Sequence, residues 1–361
     1  MTAFLISLGL LLIYILLAGY AERKTAAFIQ DRLGPTEMGP KGIFVMIADG
    51  LKLIQKEDII PQKAHRFFFL SAPFIIFMAV FAGFAVVPLT SSIIGSETAT
   101  GVFYVLAITS LDIIGIFMAG WGANSKFTLY GAMRSVSQIV SYEVPLGLSV
   151  LSIVIISQSL NLQEICKQQG ILSEQTQYLF GLKFLGIPTN SIGGFLCWNI
   201  VRFPLSIFVM LIFFIAGLAE SNRAPFDLPE SESEIIGGFH TEYSGFRWAV
   251  VMLSEYAMML LVCMLTSILF LGGWNTPLPN IGSWKFAAWT TGTPGTFLGN
   301  IWSAFWLISK SFLLIFLQMW IRWTFPRLRV DQLTDLSWKY LTPFALGFVI
   351  LASVWRVLMI I

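Results

Sequence analysis

Residues 219–242 read AESNRAPFDLPESESEIIGGFHTE, and they stand between two apolar runs, Phe195 to Leu218 and Ala249 to Leu271. Six carboxylates fall here, Glu220, Asp227, Glu230, Glu232, Glu234 and Glu242, although the whole 361-residue chain carries only 20. An acidic segment flanked by runs long enough to cross a bilayer lies at the mouth of a membrane-embedded body or inside it. The same pattern of apolar run and polar connection repeats along the rest of the chain.

Hydrophobic residues make up 56% of the chain and charged residues 12%, with a mean hydropathy of +0.78, which is more apolar surface than a soluble domain of this length can bury. A formal net charge of +2 gives no reason to expect nucleic acid as a partner. A span needs about 20 mostly apolar residues. Eight stretches qualify: 2–20, 68–89, 102–121, 139–158, 195–218, 249–271, 301–321 and 341–360. The expected fold is an all-α polytopic membrane protein, a single membrane domain over 1–361 with eight transmembrane helices. The first run has no positive residue ahead of it and is followed by Glu22-Arg23-Lys24, the flanks of a retained helix and not of a cleaved leader.

Lys and Arg set the expected orientation. Sixteen of the 22 bases fall in loops on one side, four (Lys167, Lys183, Lys285 and Arg356) on the other, and Arg202 and Lys310 inside spans. Positive-inside bias then points the acidic segment to the cytoplasmic side and both termini outward. Cys166, Cys197 and Cys263 form no CxxC, and His65 and His240 stand alone, so no metal site, iron-sulfur cluster or haem is expected on this chain. It also lacks a dinucleotide fingerprint and a P-loop, so electrons and nucleotide fall to other chains.

The first inward connection, Ala21 to Phe67, contains IFVMIADGLKLIQK at 43–56, with Ile43, Phe44, Ile47, Leu51 and Ile54 on one helical face and Asp49, Lys52 and Lys56 on the other. This pattern fits an amphipathic helix in the membrane interface, and equally a surface helix packed on the protein's own body.

Five ionisable residues lie within expected spans, where each is costly: Asp112, Glu143, Arg202, Glu255 and Lys310. Glu143 is the only charge between Ser135 and Asn161. Burial disfavours its ionised form, so it could exchange a proton near neutrality. The plainer alternative is a buried ion pair, Arg202 neutralising Glu143 or Asp112. In the acidic segment, charges alternate with Phe226, Leu228, Ile235, Ile236 and Phe239, and Pro225 and Pro229 stiffen the backbone, as in an ordered loop. Glu230, Glu232 and Glu234, spaced by two, would point to one side and repel one another.

These residues carry a resemblance. The string AESNRAPFDLPESESEIIGGFHTEYS, followed by SEYAMM from Ser254, is similar to the signature of the heel-subunit family of NADH:quinone oxidoreductase, respiratory complex I, whose mitochondrial counterpart is NADH dehydrogenase subunit 1. Further matches are ERK from Glu22, DRLGPTEMGPKG from Asp31, ADGLKL from Ala48, GWGANSKFTLYGAMRSVSQIVSYE from Gly120 and WIRWTFPRLRVDQL from Trp320, in order along nearly the whole chain.

The resemblance implies the heel subunit of a proton-translocating NADH- or ferredoxin-driven complex, placed in an energy-transducing membrane such as a bacterial inner membrane. It implies quinone as substrate, with no metal, flavin or haem on this chain. Implied partners are peripheral-arm iron-sulfur and quinone-site subunits, small membrane subunits and antiporter-like membrane subunits, besides the lipid bilayer. Carried over residue by residue, Arg23, Arg32, Asp49 and Lys52 would line the quinone portal and lower chamber, and Arg223, Phe226 and Asp227 the passage. Glu230, Glu232 and Glu234 would sit on the loop facing the chamber. Glu143, Glu220 and Glu255 match a row of proton-coupling carboxylates, with Glu242 a further member and Arg202 its partner. Asp112 departs from the family pattern, and reads as an added member of that row or as the counter-ion of Arg202 or Lys310. Two rival functions are a stand-alone ion-coupled transporter, for which the chain shows no matching halves, and an anchor subunit of a related membrane-bound hydrogenase.

Overall fold

The computed structural model describes residues 2–173, 176–183, 186–228, 236–280 and 284–360, so Glu230, Glu232 and Glu234 lie outside the described residues. Among these, the only extended pairing is one isolated bridge, Tyr178 to Pro188. The remainder is helix and connection.

The helices used below are α1 (Thr2–Ile29), α2 (Val45–Gln55), α3 (Arg66–Gly83), α4 (Gly101–Thr109), α5 (Leu111–Gly122), α6 (Lys126–Ser157), α7 (Leu162–Gln168), α8 (Asn199–Arg202), α9 (Ser206–Glu220), α10 (Gly245–Phe270), α11 (Phe297–Thr324) and α12 (Thr342–Ile360). Seven helical segments among the described residues are long and apolar enough to cross a membrane, with α4 and α5 together forming one of them.

The stretch expected as the fifth span, 195–218, is not one helix. Gly193 and Gly194 take left-handed φ of 68°, a short 3₁₀ turn and α8 follow, and Pro204 precedes the 15-residue α9. At 1.5 Å per residue α9 is about 22 Å long, short of a 30 Å hydrocarbon core. Arg202 therefore sits ahead of the apolar helix and not within it. Conversely, α6 begins at Lys126, well before its apolar window, because the residues from Lys126 to Gln138 continue the same helix, while Gly120 to Gly122 close α5.

The hub is α10, which packs against α1, α2, α3, α9 and α11. Its residues Ala257 to Phe270 are buried without a break, as an all-round apolar sequence permits in a bundle centre. Close approach needs small residues. At Gly217 of α9, a Cβ would come within 2.2 Å of Val262. Gly131 of α6 similarly receives the backbone of Gly238, fastening the end of the acidic segment to α6.

Prolines inside two spanning helices orphan a carbonyl each, and distant hydroxyls repair both. Pro145 cannot donate to the Ser141 carbonyl, and the Ser337 hydroxyl donates to it instead at 2.6 Å. Pro73 frees the Phe69 carbonyl, which accepts from the Tyr243 hydroxyl at 3.1 Å, with the two rings stacked at 4.3 Å. Burial pushes the Tyr243 phenol well above its ordinary pKa, so it remains a donor. These two bonds tie the chain after the acidic segment, and the chain before α12, to the helices that carry Glu143 and face Asp112.

Candidate functional site

One carboxylate toward the C-terminal end of α1 organises the site. Glu22 is buried and accepts from Arg223 Nη1 at 3.2 Å, from Tyr256 Oη at 2.5 Å and from the Arg322 guanidinium. The Arg223 guanidinium also lies 4.3 Å over the Tyr256 ring. A buried carboxylate held by two guanidiniums and a phenol is rigid, and removal of the acid would take from both cations the anion they share.

Beside this node is a cavity of about 290 Å³, lined by Glu22, Arg23, Ala26, Arg32, Asn222, Arg223, Met252, Glu255, Tyr256, Arg322 and Trp323. Its outer edge is fixed by the Arg23–Asp49 ion pair at 2.6 Å between α1 and α2. Lys24 donates to the carbonyls of Leu33 and Pro35, holding the intervening turn against α1. The apolar side chains of α2 are left open, Leu51 being 56% and Ile54 65% exposed. No residue of α2 is fully buried, although the helix touches α1 and α10.

A second, much smaller space of about 10 Å³ lies deeper. Asp112 of α5, Glu220 at the end of α9 and Glu255 of α10 meet there with Ser221, Asn222 and Ser254. The volume suits about one water molecule among polar groups. Gln138 of α6 donates to the Ala219 carbonyl at 2.8 Å and to Asn222 at 3.3 Å, which fixes the end of α9. Glu143, half-buried on α6, is within electrostatic reach of Glu220. Glu255 and Asn222 line both spaces and so form their common wall.

Of the residues singled out in the sequence, the structure gathers Arg23, Arg32, Arg223 and Glu255 at the larger cavity, with Asp49 at its edge. Lys52 is exposed one turn along α2. Phe226 does not line that cavity; it is buried edge-on to Tyr142 at 5.3 Å. Asp227 is buried beside Arg327 at 3.5 Å. Glu242 is half-buried in the turn before α10, outside both spaces.

Arg202 is the clear departure from expectation. It lies beside Ser157, at the opposite end of α6 from the inner face, with Gln168 and Arg356 as neighbours. Fourteen helical residues separate Ser157 from Glu143, about 21 Å. Arg202 therefore pairs with neither Glu143 nor Asp112. Lys310 is not Asp112's counter-ion either, since its ammonium donates to the carbonyls of Leu271, Gly273 and Asn275 at 2.7, 3.0 and 2.5 Å, where the α10 dipole is negative. Asp112 faces carboxyls instead, as an added member of their group.

Sequence alone does not single out Glu22, Tyr256, Arg322 or Trp323 as site residues. Glu22, Tyr256 and Arg322 belong to family-like strings, but what makes them a site is contact between α1, α10 and α11.

The matching protein-family model is that of NADH dehydrogenase, over residues 2–353. The chain belongs to this family. Among curated relatives, an NADH-quinone oxidoreductase subunit of Cytophaga hutchinsonii is 56% identical over 356 residues, covering 98% of each chain. The corresponding NADH-quinone oxidoreductase subunit of Chlorobaculum parvum is 46% identical over 336 residues, covering 93% of this chain and 86% of its own. That of Chlorobium luteolum is 46% identical over 338 residues, 94% and 84% respectively. These NADH dehydrogenase relatives are subunits of an oxidoreductase complex, and the resemblance carried by the acidic segment is thus to the right family. Among the described residues no group of three or more His, Cys, Asp or Glu side chains could hold a metal ion, and the three cysteines are free and buried.

Proposed function

We propose that the chain is the membrane subunit through which a proton-translocating NADH-quinone oxidoreductase admits quinone and passes the consequence of its reduction into the membrane. One observation carries the reading: Glu255 and Asn222 belong at once to the large cavity behind α2 and to the small space holding Asp112 and Glu220.

The open apolar face of α2 supports entry from lipid, since an isoprenoid tail gains about 0.8 kcal/mol per methylene kept out of water. The cavity beyond is rimmed by Arg23, Arg32 and Arg223, cations suited to a polar headgroup and to negative charge developing on it. Reduction of quinone to quinol takes up two electrons, supplied by partner iron-sulfur subunits, and two protons. Three carboxyls around room for one water repel one another when ionised, so the charge states of Asp112, Glu220 and Glu255 are coupled. A change of charge at the cavity shifts Glu255 first, then Glu220 and Asp112, then Glu143 on α6, toward antiporter-like neighbours. Arg202 has no place in this series, and the role of Glu230, Glu232 and Glu234 on the chamber side is carried from the resemblance alone.

Glu255→Gln, Glu220→Gln and Glu143→Gln, each in the assembled complex in sealed vesicles, are expected to lower quinone reductase and proton pumping together. A loss of about 1.4 kcal/mol of coupling per removed carboxylate corresponds to roughly tenfold in rate. Near-normal pumping in all three variants refutes the coupling route, while normal entry of long-chain quinone in α2 variants would separately refute the portal.

A further inference from the structure

At the end of the bundle opposite the acidic segment, two cavities of about 390 and 170 Å³ share two lining residues, Arg202 and Arg356. Both guanidiniums hold a buried Nε without a hydrogen-bond partner, and Arg202 is only 9% exposed. Their other contacts are weak or neutral: Arg202 Nη1 reaches Gln168 at 3.5 Å, and Arg356 donates to Gln158 at 2.6 Å and to the Met359 sulfur at 3.9 Å. Among the described residues, neither forms an ion pair. Glu164 lines the larger cavity but accepts from the Ser159 hydroxyl.

Two guanidiniums desolvated side by side, with Glu164 the one carboxylate among the described lining residues and bonded to neither, are unfavourable unless further negative charge completes them. The composition of this face sharpens the point. Positive charge is scarce there, yet Lys167 lines the larger cavity and Lys183 the smaller, so four of the six bases on or near this side surround one double cavity. Beside Arg356, the α12 side chains of Val354, Val357 and Leu358 are exposed and apolar, at the edge where acyl chains run.

We propose that Arg202 and Arg356 form a binding site for the phosphate of an anionic phospholipid headgroup, with the acyl chains lying along the open face of α12. The planar guanidinium fork matches phosphate oxygens in a way that the ammoniums at the rim do not. The shared chemistry is a phosphate oxyanion. The apolar α12 face beside it selects the lipid-borne form over free phosphate.

The test uses the detergent-purified complex, stripped of lipid, with native mass spectrometry of this chain's subcomplex or whole complex after adding phosphatidylglycerol, diacylglycerol or inorganic phosphate. The wild type should retain one phosphatidylglycerol more than the Arg356→Gln complex, at roughly tenfold lower lipid concentration, the effect of one lost charge-assisted hydrogen bond. Diacylglycerol should not substitute. Arg202→Gln should act alike; if that variant does not assemble, Arg356→Gln, whose side chain is half-buried at a helix end, decides alone. Equal retention by wild type and Arg356→Gln overturns the site. Phosphatidylglycerol without effect, alongside binding of inorganic phosphate that Arg356→Gln abolishes, overturns the lipid in favour of a free anion.

Discussion

Glu22 is the residue on which the inner cavity turns. It joins three helices through Arg223, Arg322 and Tyr256, groups separated from it by 201, 300 and 234 positions. Glu22→Gln leaves both guanidiniums without their shared anion, and breaking a buried pair from one side costs about 3–5 kcal/mol. We expect the variant complex to show a lower midpoint of thermal inactivation and loss of quinone reductase, with Glu22→Asp recovering part of both. A midpoint equal to wild type would remove Glu22 from its structural role. None of this is legible in the string ERK, where the acid reads as a flank of the first span. Burial changes its meaning, and burial here depends on residues hundreds of positions away. Asp112, Glu143 and Glu255 are legible for the opposite reason: a charge within an apolar run is conspicuous before any contact is known.

At the scale of elements, apolar length locates the spans, but polar motifs and prolines decide where helices start and how they are held. The N-terminal end of α6 lies outside its apolar window, and the stretch at 195–218 divides after the turn ending at Cys197 and again at Pro204. Periodicity alone finds α2, whose helix starts two residues later and ends one earlier than the expected bounds of 43–56. If the apolar face of α2 is the quinone's doorstep, Leu51→Trp and Ala48→Trp in the assembled complex should raise KM severalfold for long-chain quinones and little for short-chain ones. Leu51 is exposed, so the substitution leaves the fold intact. Equal slowing of both quinone classes would argue that chemistry, and not entry, had been disturbed.

For the whole molecule, the two ends differ in kind. The inner end gathers carboxylates and arginines around cavities, whereas the opposite end is poor in charge apart from the Arg202–Arg356 cavity. Positive-inside bias assigns the first end to the cytoplasm and both termini to the outside. The coupling route proposed through Glu255 and Glu143 takes its direction from that frame. Orientation is open to direct labelling because the native cysteines are all buried and give little background. Trp289→Cys lies 72% exposed on the connection before α11, and Lys63→Cys on the connection between α2 and α3. In intact cells a membrane-impermeant maleimide should label Trp289→Cys and spare Lys63→Cys, and in inverted vesicles the pattern should exchange. The reverse pattern would place the acidic segment outside, away from any cytoplasmic electron donor, and would overturn the coupling direction together with the topology.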